Sequence, residues 1–348
     1  GFVLIVIFMI AVYYVSGVAA SLALGLYVEL MIILLDAFEI TLTLPGIAGI
    51  ILSIGMAVDA NVIIFARIRE ELAKGKTVKS AIDTGFKKAA SAIVDGNVTT
   101  LIAAAVLGIM GSGTIKGFAA TLALGIILSM FTAMVITRMI IKAFFAVGIK
   151  NEKFYGMAKE RKAIAFTSKK NLFFGISIVA ILAGFVFMGI GKAQTGNALN
   201  YSLEFVGGTS TNVTFKEDMA LADIDTKVVP LIEGITGDGN VQTQKIEGTN
   251  EVIFKTRSLS VEERETFKDT MVDQFGVDGE KITTETISST ISNEMKSDAI
   301  WAVVIATLCM LVYIWFRFKD IRFGASSVIA LVHDVLVVLA FYAIVKVS

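Results

Sequence analysis

The sequence predicts a polytopic α-helical membrane protein with parallel internal repeats and one small external α+β domain. Three observations lead there. Hydrophobic residues make up 55% of the 348 residues and charged residues only 18%, with a mean hydropathy of +0.76; ordinary soluble domains do not carry this balance. Eight apolar segments are long enough to span a bilayer, by the criterion of about 20 residues. Between the sixth and seventh lies one long polar stretch, 192–298, with strand-like alternation.

The eight segments are 2–16, 17–35, 44–66, 93–111, 116–141, 171–191, 299–317 and 323–345, and the first two are separated only by a break at Ser16 and Gly17. Basic residues gather from Arg67 to Lys88, after the third segment, and from Arg138 to Lys170, between the fifth and sixth. The positive-inside rule makes both stretches cytoplasmic. The segment count then puts 192–298 outside and Arg317, Lys319 and Arg322 inside. Trp301 and Trp315 bracket the seventh segment about 21 Å apart on a helix, the spacing of two interfacial belts. The organisation follows: five helices in 1–147, a basic cytoplasmic linker at 148–170, a sixth helix at 171–191, the external domain at 192–298 and two helices in 299–348.

Within the external stretch, Tyr201 to Phe215 reads as a strand interrupted at Gly207-Gly208, and Ala220 to Ile235 as a helix despite Pro230. Asn240 to Lys245 and Glu251 to Arg257 read as strands. Ser260 to Phe275 is a helix with Ser260 as N-cap and Glu263 at the capping-box position, and Lys281 to Ile291 is a last strand. The order β-α-β-β-α-β suits a ferredoxin-like domain.

Two stretches rhyme. Val12-Tyr13 leads through Ala19-Ala20-Ser21 to Glu29, and Val312-Tyr313 through Ala325-Ser326-Ser327 to Asp334, with about four extra residues in the second copy. Each copy carries one acid in the second helix of its pair, and both helices run outward from the cytoplasm. Such parallel repeats occur in transporters whose polar sites lie between halves.

Equal numbers of basic and acidic residues, 31 each, give no reason to expect a nucleic-acid partner. The single cysteine, Cys309, rules out an internal disulfide and a thiolate zinc site, and the single histidine, His333, leaves little for metal chemistry. No cofactor, metal site or catalytic residue is predicted. The chain begins inside an apolar run with no signal-peptide pattern and reads as a piece of something longer.

Asp59 is the main functional candidate. It lies in an apolar run eight residues before Arg67, about 12 Å below the cytoplasmic surface on a helix. An aspartate near the bilayer centre costs about 2.5–3.5 kcal/mol even on lenient scales, and intramembrane acids mark ion and proton paths. Asp334, His333 and Glu29 are further candidates for the pathway. Neighbouring helix positions point about 100° apart, so His333 and Asp334 need not pair. Asn61, Thr99 and Thr100 are supporting polar residues: the threonines fit interhelical packing, or a hydrogen bond to Asp59 from a facing helix.

Gly55-Met56-Ala57-Val58-Asp59-Ala60-Asn61-Val62, followed by Phe65-Ala66-Arg67-Ile68-Arg69-Glu70-Glu71, resembles SecD, a membrane subunit of the bacterial protein-export machinery. The resemblance runs through Leu44-Pro45-Gly46-Ile47-Ala48-Gly49, Asn97-Val98-Thr99-Thr100-Leu101, Lys116-Gly117-Phe118-Ala119 and Thr137-Arg138. Ser202 to Thr209, Asp298-Ala299-Ile300-Trp301-Ala302, Tyr313 to Phe318 and Ala330-Leu331-Val332-His333-Asp334-Val335 resemble SecF, so the chain looks like a fused SecDF. Ala66 stands where an acid is usual and Glu204 where aspartate is. The resemblance implies a resistance-nodulation-division-like helical arrangement in the bacterial plasma membrane. It also implies an accessory role in export driven by the proton (or sodium) motive force, with H+ or Na+ as coupling ion. The implied partners are the SecYEG translocon, YajC-type accessory proteins, the translocating preprotein and the lipid bilayer. It further implies a SecD external domain before Gly1 and three SecF helices after Ser348. The rivals are a resistance-nodulation-division exporter of small molecules or lipids, which needs larger external domains, and a passive translocon scaffold. An intramembrane aspartyl protease needs a Gly-x-Gly-Asp pattern that Met56-Ala57-Val58-Asp59 lacks.

Overall fold

The computed structural model describes residues 2–40, 42–111, 113–156, 165–195, 198–199, 205, 207–239, 241–246 and 248–345. Its chain forms two compact units, Gly1–Lys169 with Ala299–Ala330, and Lys170–Asp298 with Leu331–Ser348.

The first unit is built on α1 (Phe2–Ala37), α2 (Leu44–Ala73), α3 (Val78–Met110), α4 (Thr114–Phe131) and α5 (Thr137–Ala146), the last two joined through a π-helical turn at Thr132–Ile136. Thr43 caps α2, accepting from the Gly46 amide at 3.1 Å, and Pro45 sits in the first turn, where its missing N–H costs nothing. Thr77 caps α3 in the same way.

α1 is folded on itself. Tyr14 has φ 52° and ψ −124° inside an otherwise helical run, and a Cβ on Gly17 would meet the carbonyl of Met9. Residues eight apart in a straight helix lie about 12 Å apart along the axis, so the chain reverses and makes two arms. These arms are the first two apolar segments. The break falls at Tyr14 rather than at Ser16-Gly17, because Gly17 serves the close approach of the arms and not the bend itself. Arg69, near the end of α2, donates to the Val12 carbonyl and lies 4.4 Å over the Tyr13 ring, so the bend is level with the basic end of α2.

Small residues bring α2 and α4 together, as expected where lipid offers no hydrophobic drive between helices. A Cβ on Gly49 would lie 2.5 Å from the Thr121 hydroxyl, and one on Gly125 would meet Ser53 and Tyr27. Thr121 donates to the Gly46 carbonyl at 3.0 Å, and the Tyr27 and Ser53 hydroxyls share a 2.6 Å bond. Further along α2, Ile64, Phe65 and Ile68 join Ile82, Ala133 and Ile141 in a fully buried core.

The second unit contains α6 (Lys170–Thr195) and the sheet domain. Its elements are β1 (Gly208–Thr214), α7 (Leu221–Lys227), α8 (Val229–Thr236), β2 (Gln242–Lys245), β3 (Glu251–Thr256), α9 (Val261–Phe275) and β4 (Thr283–Ile287). The sheet order is β2-β3-β1-β4, all antiparallel, the ferredoxin-like arrangement the element order predicts. Val213, Phe215, Val252 and Phe254 pack on Ile224, Ile232, Phe267 and Met271 to form its core. Ser260 and Glu263 close the capping box as predicted. Two boundaries differ. The 220–235 helix is two helices, broken at Val228 just before Pro230, whose ring cannot sit in a continuous helix. The last strand ends at Ile287, because the Ser288 hydroxyl accepts from the Ile291 amide and starts a helix. Most of the predicted 201–206 strand lies outside the described residues.

That helix is α10 (Ser289–Phe318), and α11 (Ile321–Val345) follows it. Lys319 between them has φ 55°, the Phe318 and Phe323 rings meet at 4.9 Å, and Gly324 faces Leu311 and Ile314, so this pair also folds back. In the second unit α6 meets α11 where Gly184 faces Ala340. With the two arms of α1 counted once and α4 and α5 taken together, seven helices among the described residues are long and apolar enough to cross a membrane.

Candidate functional site in the helical core

Asp59 lies about midway along α2. Its exposed carboxylate opens on a cleft of about 160 Å³ between α2 and α3, lined by Met56, Ala60, Ile63, Ala92, Ile93, Gly96 and Asn97. The polar residues around it are held by their own helices. Buried Asn61 donates from Nδ2 to the Ala57 carbonyl at 3.0 Å, leaving its Oδ1 buried without a partner. Asn97 does the same to Ile93 at 2.8 Å. The hydroxyls of Thr99 and Thr100 both bond the Gly96 carbonyl, at 2.7 and 3.2 Å, rather than Asp59.

The other acids of α2 and α3 contrast with Asp59. Glu70 pairs with Arg67 at 2.7 Å. Buried Glu71 takes Lys74, Lys76 and Lys88 at 3.0, 2.6 and 2.7 Å, tying the end of α2 to the start of α3. Asp83 holds Arg138 and Lys142 on one oxygen, at 3.1 and 2.7 Å. Asp95 accepts from Arg317 Nε at 2.7 Å, Tyr313 at 3.1 Å and Ser91 at 3.2 Å, while Arg317 also donates to Ser91 at 2.7 Å. Among the described residues Asp59 alone of these five has no cation beside it.

Asp95 and Arg317 escaped the sequence reading, which took Arg317 only as a flanking charge. A signal was available: Asp95-Gly96-Asn97 on α3 repeats the Asp59-Ala60-Asn61 pattern of α2, and both asparagines make the same backbone bond. Glu29 is exposed on the second arm of α1. His333 and Asp334 on α11 do meet, Nδ1 to Oδ1 at 3.1 Å, on an open face where Asp334 is 76% exposed. No cluster of three metal-binding side chains occurs among the described residues.

These features define a multi-pass α-helical membrane protein, resistance-nodulation-division-like in its helices, with an acid opening on a cleft between two of them and a small α+β domain. Comparison with known proteins is specific. Residues 1–146 and 267–348 match the family model of the protein export membrane protein SecD/SecF, C-terminal, and the chain belongs to that family. It is 52% identical over 151 residues to the protein translocase subunit SecD of Acidaminococcus fermentans, covering 43% of this chain and 36% of that protein. It is 30% identical to the protein translocase subunit SecDF of Bacillus subtilis, covering 99% of this chain and 48% of that one. The crystal structure of SecDF from Thermus thermophilus, described as a translocon-associated membrane protein, superposes with a TM-score of 0.83 at 29% identity, covering 100% of this chain and 46% of that one. The chain thus spans about half or less of the length of these relatives. Like them it is a multi-pass protein of the bacterial plasma membrane.

Proposed function

We propose that this chain is the membrane core of an accessory subunit of the Sec export machinery that uses the proton motive force to promote preprotein translocation, with Asp59 as the proton-carrying group. The observation that carries this reading is the contrast within α2 and α3. Four of their five acids are pinned by cations, and Asp59 is not. Only an unpinned carboxylate can take and release a proton without breaking an ion pair, and a neutral acid in apolar surroundings escapes most of the cost of a charged one. Its cleft also gives it access. Protonation would alter how α2 packs against whatever helix covers that cleft, and this movement would pass outward to the external domain. Asp334, His333 and Glu29 are proposed as further stations of the same path, and Asn61, Thr99 and Thr100 as supports that fix the backbone around it.

By the positive-inside rule the ends of α2, α3 and α5 rich in lysine and arginine are cytoplasmic, which places the sheet domain outside. Its partners in this reading are the SecYEG translocon, YajC-type accessory proteins and the emerging preprotein. The test is preprotein translocation into vesicles carrying the full-length protein. Asp59→Asn should abolish the stimulation that depends on the proton gradient, and Asp59→Glu should restore part of it. Replacing sodium with potassium should leave the stimulation unchanged if protons couple. A fully active, correctly folded Asp59→Asn protein would overturn the proposal.

A further inference from the structure

A second cleft, of about 340 Å³, lies where the start of α3 meets the end of α5, lined by Lys79, Ile82, Asp83, Lys142, Phe145, Ala146 and Lys150. Its charge is lopsided. Asp83 is satisfied twice over, by Lys142 and by Arg138. Among the described residues the Lys79 side chain has no ion pair or hydrogen bond, and the Lys150 side chain has only the ring of Phe145, 5.7 Å from its Nζ. Two uncompensated ammonium groups therefore line the cleft. Apart from these and the paired Asp83 and Lys142, its lining is apolar, made by Ile82, Phe145 and Ala146.

Both helix ends belong to the basic, cytoplasmic side. A volume of this size is in the range that holds a small ligand, roughly 300–1,000 Å³. Basic pockets between transmembrane helices at this level suit anionic headgroups, because lysines supply the charge while the membrane supplies the ligand at high local concentration. We propose that this cleft binds the phosphate of an anionic phospholipid. Lys79 and Lys150 grip the phosphate oxygens, and the glycerol and first acyl carbons lie along Ile82 and Phe145. Asp83 tunes the site by drawing Lys142 and Arg138 away from the ligand. A free phosphate ion would use the same ammonium groups, but it would leave the apolar wall unused. This site is independent of Asp59 and stands whether or not Asp59 carries protons.

The test is native mass spectrometry of the full chain in detergent, titrated separately with phosphatidylglycerol, phosphatidylcholine and inorganic phosphate. Phosphatidylglycerol should bind in preference to phosphatidylcholine. Lys79→Gln and Lys150→Gln should each weaken it about five-fold, the share of one basic side chain at a membrane surface, and together on the order of 25-fold. Both lysines are exposed and outside the ion pairs, so the variants should keep the helical content of the parent. Asp83→Asn, which frees Lys142 and Arg138, should tighten binding. Equal binding of the two lipids, unchanged affinity in the double lysine variant, or inorganic phosphate competing as strongly as the lipid would each overturn the proposal.

Discussion

Replacing Gly125 by alanine tests whether glycine is what lets α4 approach α2. The new Cβ would lie 2.5 Å from the Ser53 Cβ and 2.9 Å from the Tyr27 hydroxyl oxygen, where carbon contacts settle at about 3.5–4.0 Å. The helices must therefore part by about 1 Å. Overpacking of this kind costs about 1–3 kcal/mol. The separation also strains the 2.6 Å Tyr27–Ser53 bond and, one turn away, the 3.0 Å bond from Thr121 to Gly46, each worth about 0.6 kcal/mol on average in a membrane. The sum is about 2–4 kcal/mol. Reversible unfolding in detergent micelles would measure it. Ser53→Gly alone should cost about 1 kcal/mol, about 0.6 for the lost bond and the rest for glycine inside a helix. The double variant should cost little more than Ser53→Gly, because the alanine methyl then has room. A Gly125→Ala cost below about 0.5 kcal/mol, or a double variant that simply adds the two singles, would refute the reasoning.

Three more outcomes follow from the same geometry. Asp95→Asn and Arg317→Gln should each lower the melting temperature, and the double variant should fall by less than their sum, since either change alone already breaks the network; additive shifts would show that the groups do not cooperate. Gly17→Ala should cost about 3 kcal/mol, the upper end of overpacking, because the methyl meets a backbone carbonyl that cannot swing aside, and unfolding in detergent would again show it. In α9, hydrogen bonds from Arg257, then from the Ser260 amide, hold the Glu263 carboxyl at about 2, well below the usual carboxylate range. A depressed folded pKa contributes stability above the unfolded value of about 4.3, and that stability is lost as pH falls from there towards 2. Hydrogen-exchange protection factors in residues 261–275, referred to the intrinsic rate at each pH, should therefore fall over this window, and Glu263→Gln should flatten the dependence.

Much of this architecture could be read directly from the chain. Apolar runs announce helices because a bilayer leaves the backbone no other way to satisfy its hydrogen bonds. The sheet domain was legible from strand alternation and from the Ser260–Glu263 pair. Two local boundaries were not. Periodicity could not show that Pro230 splits its helix, or that Ser288 turns the last strand into a helix, because each depends on one side chain overriding its neighbourhood. At the site, Asp59 stood out by its cost in an apolar run. Asp95 did not, because its meaning lies in Arg317 and Tyr313, more than 200 residues away. Spacing along a chain cannot convey such a pairing. The threonines beside Asn97 were visible as polar, but their direction, back towards Gly96, was not.

The two folded helix pairs share a measure. Glu29 lies fifteen residues past the bend at Tyr14, and Asp334 lies fifteen past the bend at Lys319. One residue added between bend and acid would swing the carboxylate about 100° around its helix and raise it about 1.5 Å. The arm after each bend is thus locked in phase with its acid, like a screw cut to a fixed number of turns. The arm before the bend carries no such constraint, and there the second copy has its extra residues. Length can be gained on one side of the elbow without disturbing where the charge points on the other.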